Sequence, residues 1–392
     1  MDGVLTAMPE FDLHPLCAVR DVAAAHADLV DRNSLFPAAA VSALREQRLL
    51  GMMIPQAFGG GGASLAKVAQ VCHVLAQGCA SAGMIFAMHQ SQIACLLAHG
   101  SRATWHRDCL GRIAREQLLL GSVTSEAGIG GNIRLSICAI EEAGGGRISV
   151  SKDGTTVSYG AQADLLLVTA RRAPDAAPSD QVLVVLERGD FKLERRGEWD
   201  ALGMRGTCSD AFRVQGTAEP AQILPVPFGD IAAKTMKPVA HILWGAVWTG
   251  IAADAVGRAR AFLRAEARTA EGAVPPGVSL LAEATARLQA AEAMIAGLIH
   301  RYGTPGSRND HGEIPTTEMN LLKTAVSEAA LDVVGLCLRI CGIAGYRNQG
   351  PFSLGRHLRD IQSAPLMVSN DRIRSNTGHL LLMQRPSFGE FA

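Results

Sequence analysis

The chain has 392 residues with 37 basic and 37 acidic side chains, so its formal net charge is zero. No basic block exceeds a few residues, which excludes the electrostatic footprint of a nucleic-acid partner. Nine cysteines, an odd number with no C-x-x-C pair, read as buried reduced thiols, with neither a disulfide framework nor a metal site.

Aromatics are sparse at 5% while Ala and Gly are abundant, which suits a helix-rich globular enzyme large enough for two or three subdomains. The opening MDGVLTAMPEFDLH lacks the basic region and apolar core of a secretory signal. The most hydrophobic stretch, 239–256, contains His241 and Asp254 and reads as too short and too polar to span a bilayer. The expectation is a cytoplasmic protein without a membrane partner.

In chain order, residues 1–117 read as a helical domain. Segments 18–31 and 36–47 carry apolar residues at helical spacing. LLGMMIPQAFGGGGAS, 49–64, interrupts them as a loop, and 65–78 and 80–97 are helical again. Residues 118–228 form a second domain of short, often alternating runs at 133–140, 147–151, 155–159, 163–169, 181–186 and 191–195, separated by turn residues. That pattern predicts a β-barrel or sandwich. Residues 229–392 return to long helical patterns at 237–267, 279–301, 318–341 and 354–383, four helices of an antiparallel bundle. The fold class is therefore α+β multidomain: an N-terminal α-helical domain, a middle β-barrel and a C-terminal four-helix bundle.

Two stretches carry the chemistry. LLLGSVTSEAGIGGN, 118–132, opens as a β-favouring run and breaks into a turn whose glycines admit positive φ and close ligand approach. Thr124, Ser125, Gly130 and Gly131 would present donors there to a flavin ring or a phosphate. TVSYGAQADLLLVTA, 156–170, follows with Ser158 in its first turn and a buried run at 165–169.

These stretches resemble the acyl-CoA dehydrogenase family. SVTSEAGIGGN is similar to its flavin-binding V-T-E-P-x-A-G-S-D, and SYGAQADLLLVTA to the following W-x-T-N-x-x-x-A-D strand, with Thr156 where tryptophan is usual. The 49–64 loop resembles the family's glycine loop between early helices. WDALGMRGTCSD, 199–210, resembles L-G-x-R-x-T/S-x-S, and RICGIAGY, 339–346, resembles Q-x-x-G-G-x-G-Y. The last segment implies that Arg339, Gly342 and Gly345 approach the cofactor of a neighbouring subunit, hence a homodimer or homotetramer. The resemblance spans nearly the whole chain and implies FAD, with Arg268 in place for a pyrophosphate contact and Glu271 where an aromatic normally packs by the adenine.

In that family a glutamate removes the α proton of an acyl thioester while the β hydrogen leaves as hydride to the flavin. Here Leu358-Arg359-Asp360 resembles the M-R-D segment, and counting onward puts Val368 at the glutamate and Asn370 at a cofactor-binding threonine. The alternative glutamate position falls on Ala240. The leading expectation is an FAD-dependent dehydrogenase of an acyl thioester, carried by CoA or an acyl carrier protein, with an electron acceptor as partner. Its base would be His241 first and Asp371 second. A flavin-dependent monooxygenase fed by a flavin reductase is the alternative, because it needs no α-proton base. A thioester-binding protein without redox activity is the third.

Overall fold

The computed structural model describes residues 14–269, 274–303 and 315–383. Five helices come first: α1 (His14–Arg32), α2 (Ala38–Glu46), α3 (Leu65–Gly78), α4 (Ala80–Gly100) and α5 (Thr104–Glu116). The hydroxyl of Ser64 accepts the Lys67 N–H at 3.4 Å and so occupies one of the open donors at the start of α3. Helix α4 is buried almost all round and forms the centre of this domain.

The period then changes from helix to strand. Strands β1 (Leu120–Val123), β4 (Leu165–Arg171) and β5 (Gln181–Glu187) make one sheet, with β1 parallel to β4 from Leu120 opposite Leu165 to Val123 opposite Val168. Strands β2 (Ile140–Glu142), β3 (Ile148–Gly154), β6 (Phe191–Gly197) and β7 (Ala211–Ala218) make an antiparallel second sheet in the order β2-β3-β7-β6. Alternate residues of β4 and β5 face opposite ways. Leu165, Leu167, Leu183 and Val185 join a core with Leu110 and Ile113 of α5. Leu166, Val168, Val184 and Leu186 join a core with Val150 and Val214 of the second sheet. The first sheet is thus covered on both faces, which is why its strands read as unbroken apolar runs.

The remaining elements are α6 (Phe228–Ile231), a π turn (Ala232–Met236), α7 (Lys237–Thr269), α8 (Val278–Gly303), α9 (Thr316–Tyr346), α10 (Gly355–Ile361) and α11 (Asn370–Met383). Helix α7 packs on α3, α4, α8 and α9 and joins the domains. At Gly250 a Cβ would lie 2.3 Å from the His73 carbonyl oxygen, so α3 and α7 touch backbone to backbone. By length and composition Phe228–Thr269 passes as a membrane span, contrary to the sequence reading, but 83% of its apolar window is buried inside the fold.

The order helical, β, helical is the acyl-CoA dehydrogenase-like fold expected, with the middle β region built as two sheets. Three local expectations fail. Residues 133–138 are turn and loop, and pairing begins only at the Ala139 bridge to Arg171 and Ile140–Glu142, because the Glu126 carboxylate takes the N–H groups of Ile137 and Cys138 at 3.1 and 2.6 Å. Residues 155–159 are loop: the Val157 and Tyr159 N–H groups donate to Asp210 and Thr207 carbonyls at 3.0 and 2.7 Å. The helix expected over 354–383 breaks into α10 and α11 around a turn containing Pro365 and Val368, the latter at φ 55°. Residues 270–273, including Glu271, lie outside the described residues.

Candidate active site

The glycine turn is held from beneath by a buried ion pair. The Glu126 carboxylate lies 3.1 Å from the Lys152 ammonium, with side-chain exposures of 4% and 0%. Glu126 also accepts the Ser136 hydroxyl at 2.7 Å, and Lys152 donates to the Thr169 carbonyl and hydroxyl at 2.8 and 2.7 Å. Burial alone raises the Glu126 pKa, but Ser136, Lys152 and Cys138 together hold it below the usual range. A buried pair with its remaining valences satisfied in this way tolerates its desolvation.

Above that anchor, Gly128, Gly130 and Gly131 take φ of 88°, 58° and 71°. A Cβ on Gly131 would sit 3.2 Å from an Arg372 Nη1, so a guanidinium from α11 stands over the turn. Among the described residues the Arg372 guanidinium has no hydrogen-bond or ion-pair partner; only its backbone N–H, toward Ser369, is engaged. A glycine turn facing an exposed guanidinium could hold an anion, such as the phosphate of a flavin nucleotide.

Beside the turn lies a cleft with two adjoining lobes of about 260 and 300 Å³. The first lies just below and the second at the low end of ligand pockets, roughly 300–1,000 Å³. Met88 of α4, Thr156, Ser158 and Met367 line both. The inner lobe continues along α7 over Ala240, His241 and Trp244 and is closed by Thr124 and Val368. The outer lobe is walled by Trp199, Gly203 and Met204, where the Met204 N–H donates to Asp360 at 2.6 Å. The 199–210 and 358–360 segments are thereby docked on each other.

Three residues lining the inner lobe carry a polar atom that is buried without a partner among the described residues: Gln92 Oε1, His241 Nδ1 and Trp244 Nε1. A buried polar atom without a partner costs about 1–3 kcal/mol. Three of them around one apolar cavity fit a flat heteroaromatic ligand that brings its own donors and acceptors, as the flavin ring does.

Burial first, then the charges of Lys323 and Lys237, push the His241 imidazole down to about 4, against a weaker pull from the Met319 backbone. His241 is therefore neutral at neutral pH. Lys323, on α9, lies behind the same wall. Its ammonium donates to the carbonyls of Ala364 and Val368 at 3.0 and 2.7 Å and to Asn370 Oδ1 at 2.6 Å, and lies 5.6 Å from the Trp248 ring centroid. Burial lowers its pKa to about 8. Positive φ at a β-branched residue is strained, and the lysine holds Val368 in that state with its side chain lining the inner lobe.

The structure brings Thr124, Ser158 and His241 into one cavity and leaves other expected residues outside it. The Ser125 hydroxyl is used up: it donates to the Thr156 carbonyl at 2.9 Å and accepts the Thr156 N–H at 3.0 Å, tying the two loops together. Asn370 is also spent within the bundle, on Lys323, Ser327 and Glu328. Asp371 lines neither lobe, and the neighbouring Arg374 pairs with Glu328. Arg268 lies near the far end of α7, roughly 40 Å along the helix from His241 at 1.5 Å per residue. Arg339, Gly342 and Gly345 lie near the end of α9, where Gly342 breaks the helix at φ 53°, ψ −134°. Neither group reaches the cleft of its own chain.

Sequence reasoning missed Gln92, Trp244, Lys323 and Arg372. Only Lys323 left a mark in the sequence, as a lone cation within the apolar run LLKTAV.

Two domain models match the chain: the acyl-CoA dehydrogenase N-terminal domain over residues 18–117 and its C-terminal domain over 233–371. A cyclohex-1-ene-1-carbonyl-CoA dehydrogenase of Geobacter metallireducens is 24% identical over 93% of this chain and 96% of its own. A dibenzothiophene monooxygenase of Rhodococcus erythropolis is 24% identical over 77% of each. FMN-bound TdsC from Paenibacillus sp. A11-2 shares the fold, with a TM-score of 0.83 at 22% identity over 96% of this chain and 99% of that one.

Proposed function

Because this chain belongs to the acyl-CoA dehydrogenase family, we propose that it is a flavin enzyme, and specifically an oxygenase that receives reduced flavin from a partner reductase. The observation that carries this reading is the lining of the cleft. Val368 and Ala240, the two positions where a catalytic glutamate is expected, both face the inner lobe, and no carboxylate lines either lobe among the described residues. Relatives of the fold include both dehydrogenases and monooxygenases, so the family alone does not choose between them.

A bound flavin supplies two electrons, with which one atom of O₂ passes to the substrate and the other leaves as water. The chain's own residues would do the rest. The cradle of Gly131 and Arg372 would hold the phosphate. Thr124 and Ser158, the latter while bonded to the Ser209 hydroxyl at 2.8 Å, would present hydroxyls to the ring, and Met88, Trp244 and Met367 would exclude water. His241, neutral and with Nδ1 unpaired among the described residues, would accept a hydrogen bond from the substrate without taking its proton.

That unpaired Nδ1 also supports a second reading, dehydrogenation of an acyl thioester with His241 as base. It is the weaker one: a conjugate acid near 4 is poorly matched to neutral pH, and Lys323 and Lys237 oppose a further positive charge there. The two readings separate in one anaerobic titration of the flavin-loaded protein with acyl-CoA and acyl-carrier-protein thioesters. The expected result is an unbleached flavin band, with labelled O₂ entering product only when reduced flavin is supplied. Bleaching by a thioester, lost in His241→Ala, would overturn the oxygenase reading in favour of dehydrogenation.

A further inference from the structure

The cavity system continues beyond His241. A third cavity, of about 320 Å³, shares Ile133, Lys237 and His241 with the inner lobe. Its remaining walls come from Arg134 and Gln181 on the β side, the π turn, and Met319 and Asn320 of α9.

Two features distinguish it. No carboxylate lines it among the described residues, yet Arg134 and Lys237 both do. Neither side chain has a hydrogen-bond or ion-pair partner among the described residues; only the Arg134 backbone N–H is engaged, by Asn132 at 3.1 Å. Burial and then the Arg134 charge lower the Lys237 pKa, as expected of two cations sharing a space without a counter-ion.

Arg134 is exposed, but Lys237 is half-buried, and a half-buried cation is normally paired, because an uncompensated charge out of water is costly. Lys152 has Glu126, Arg258 has Asp254, and Lys323 is held by two carbonyls and an amide oxygen. Lys237, at the mouth of the proposed reaction cavity, has none of these among the described residues. Lys237 and His241 are one helical turn apart on α7, a separation of roughly 6 Å between Cβ atoms.

We propose that Arg134 and Lys237 form an anion clasp, so that the substrate is a small organic anion. Its carboxylate, phosphate or sulfo group seats between the two cations and its apolar reacting part extends past His241 into the inner lobe. This rests on the oxygenase reading for the reaction, but not for the clasp. The spacing specifies the substrate further: its charge lies within about one helical turn of the reacting atoms, unlike a long carrier whose phosphates trail far from the thioester.

The test uses the full chain loaded with FMN, so that the Arg372 cradle is already filled, and inorganic phosphate as the probe, titrated calorimetrically at low salt. Arg134→Met with Lys237→Met is expected to weaken phosphate binding at least tenfold, roughly the loss of one charge-assisted bond, and Arg134→Met alone, outside the inner lobe, to weaken it while flavin absorption and content stay unchanged. Phosphate binding of equal strength in the double variant, or none in the wild type, would overturn the clasp. So would phosphate displacing FMN, with the double variant losing affinity for FMN but not for riboflavin, since the cations would then belong to the cofactor. None of these readouts involves oxygen. If thioesters bleach the flavin while the clasp behaves as expected, the oxygenase reading fails and the anion site stands.

Discussion

Gly131 shows how much one position controls at the proposed flavin site. Its φ of 71° costs a side chain about 1–2 kcal/mol, and its Cβ direction meets Arg372 at 3.2 Å. In Gly131→Asp the new carboxylate would pair with that guanidinium and occupy the place of the cofactor's anion. We predict that the variant folds but binds flavin roughly tenfold to a hundredfold more weakly, the worth of a charge-assisted bond of about 1.5–3 kcal/mol, read by flavin fluorescence. Gly131→Ala, which adds strain without charge, should lose much less. If Gly131→Asp keeps its flavin, the phosphate lies elsewhere and Arg372 is not its partner.

At the scale of elements, α4 and β1 are joined by a buried histidine. His89 Nδ1 accepts the Leu120 N–H at 3.0 Å and its Nε2 donates to the Leu50 carbonyl at 2.8 Å, so the ring is neutral with one fixed tautomer. Burial lowers its pKa to about 4, as it does for His241. Both folded values lie below the ordinary 6.5, so between those limits the unfolded chain binds more protons. Stability should therefore fall as pH drops from about 6.5 to about 4, by up to about 1.4 kcal/mol per pH unit for each ring. Denaturant titrations across that window should show the slope, and His89→Gln should remove the share of one ring; an unchanged slope would show that His89 is not the source. The sequence revealed the elements themselves well, because apolar period survives in composition. It hid the breaks, because each depends on a partner elsewhere in the chain: the Glu126 carboxylate takes the N–H groups of Ile137 and Cys138, the Asp210 and Thr207 carbonyls take those of Val157 and Tyr159, and Lys323 holds the turn at 364–370 from more than forty positions away. His241 was legible as a polar residue on an apolar helix. Gln92 and Trp244 were not, since only the assembled cavity leaves them without partners.

For the whole molecule, the end of α9 leaves apolar surface uncovered. Ile343 and Tyr346 are 70% and 72% exposed beside the Gly342 break, in the segment expected to meet a neighbouring copy. We propose that two copies associate there, each such side chain contributing about 1.5–3 kcal/mol when covered. Light scattering should give at least a dimer, and Ile343→Glu with Tyr346→Glu should give a monomer; a monomeric wild type would exclude the interface. The three partnerless atoms of the inner lobe have a different kind of consequence. The empty protein is less stable than the filled one, and mass action raises stability by about 2.7 kcal/mol when a ligand stands at a hundred times its dissociation constant. Inside a cell, where proteases remove whatever unfolds, the amount of this protein would then follow the supply of the molecule that fills it.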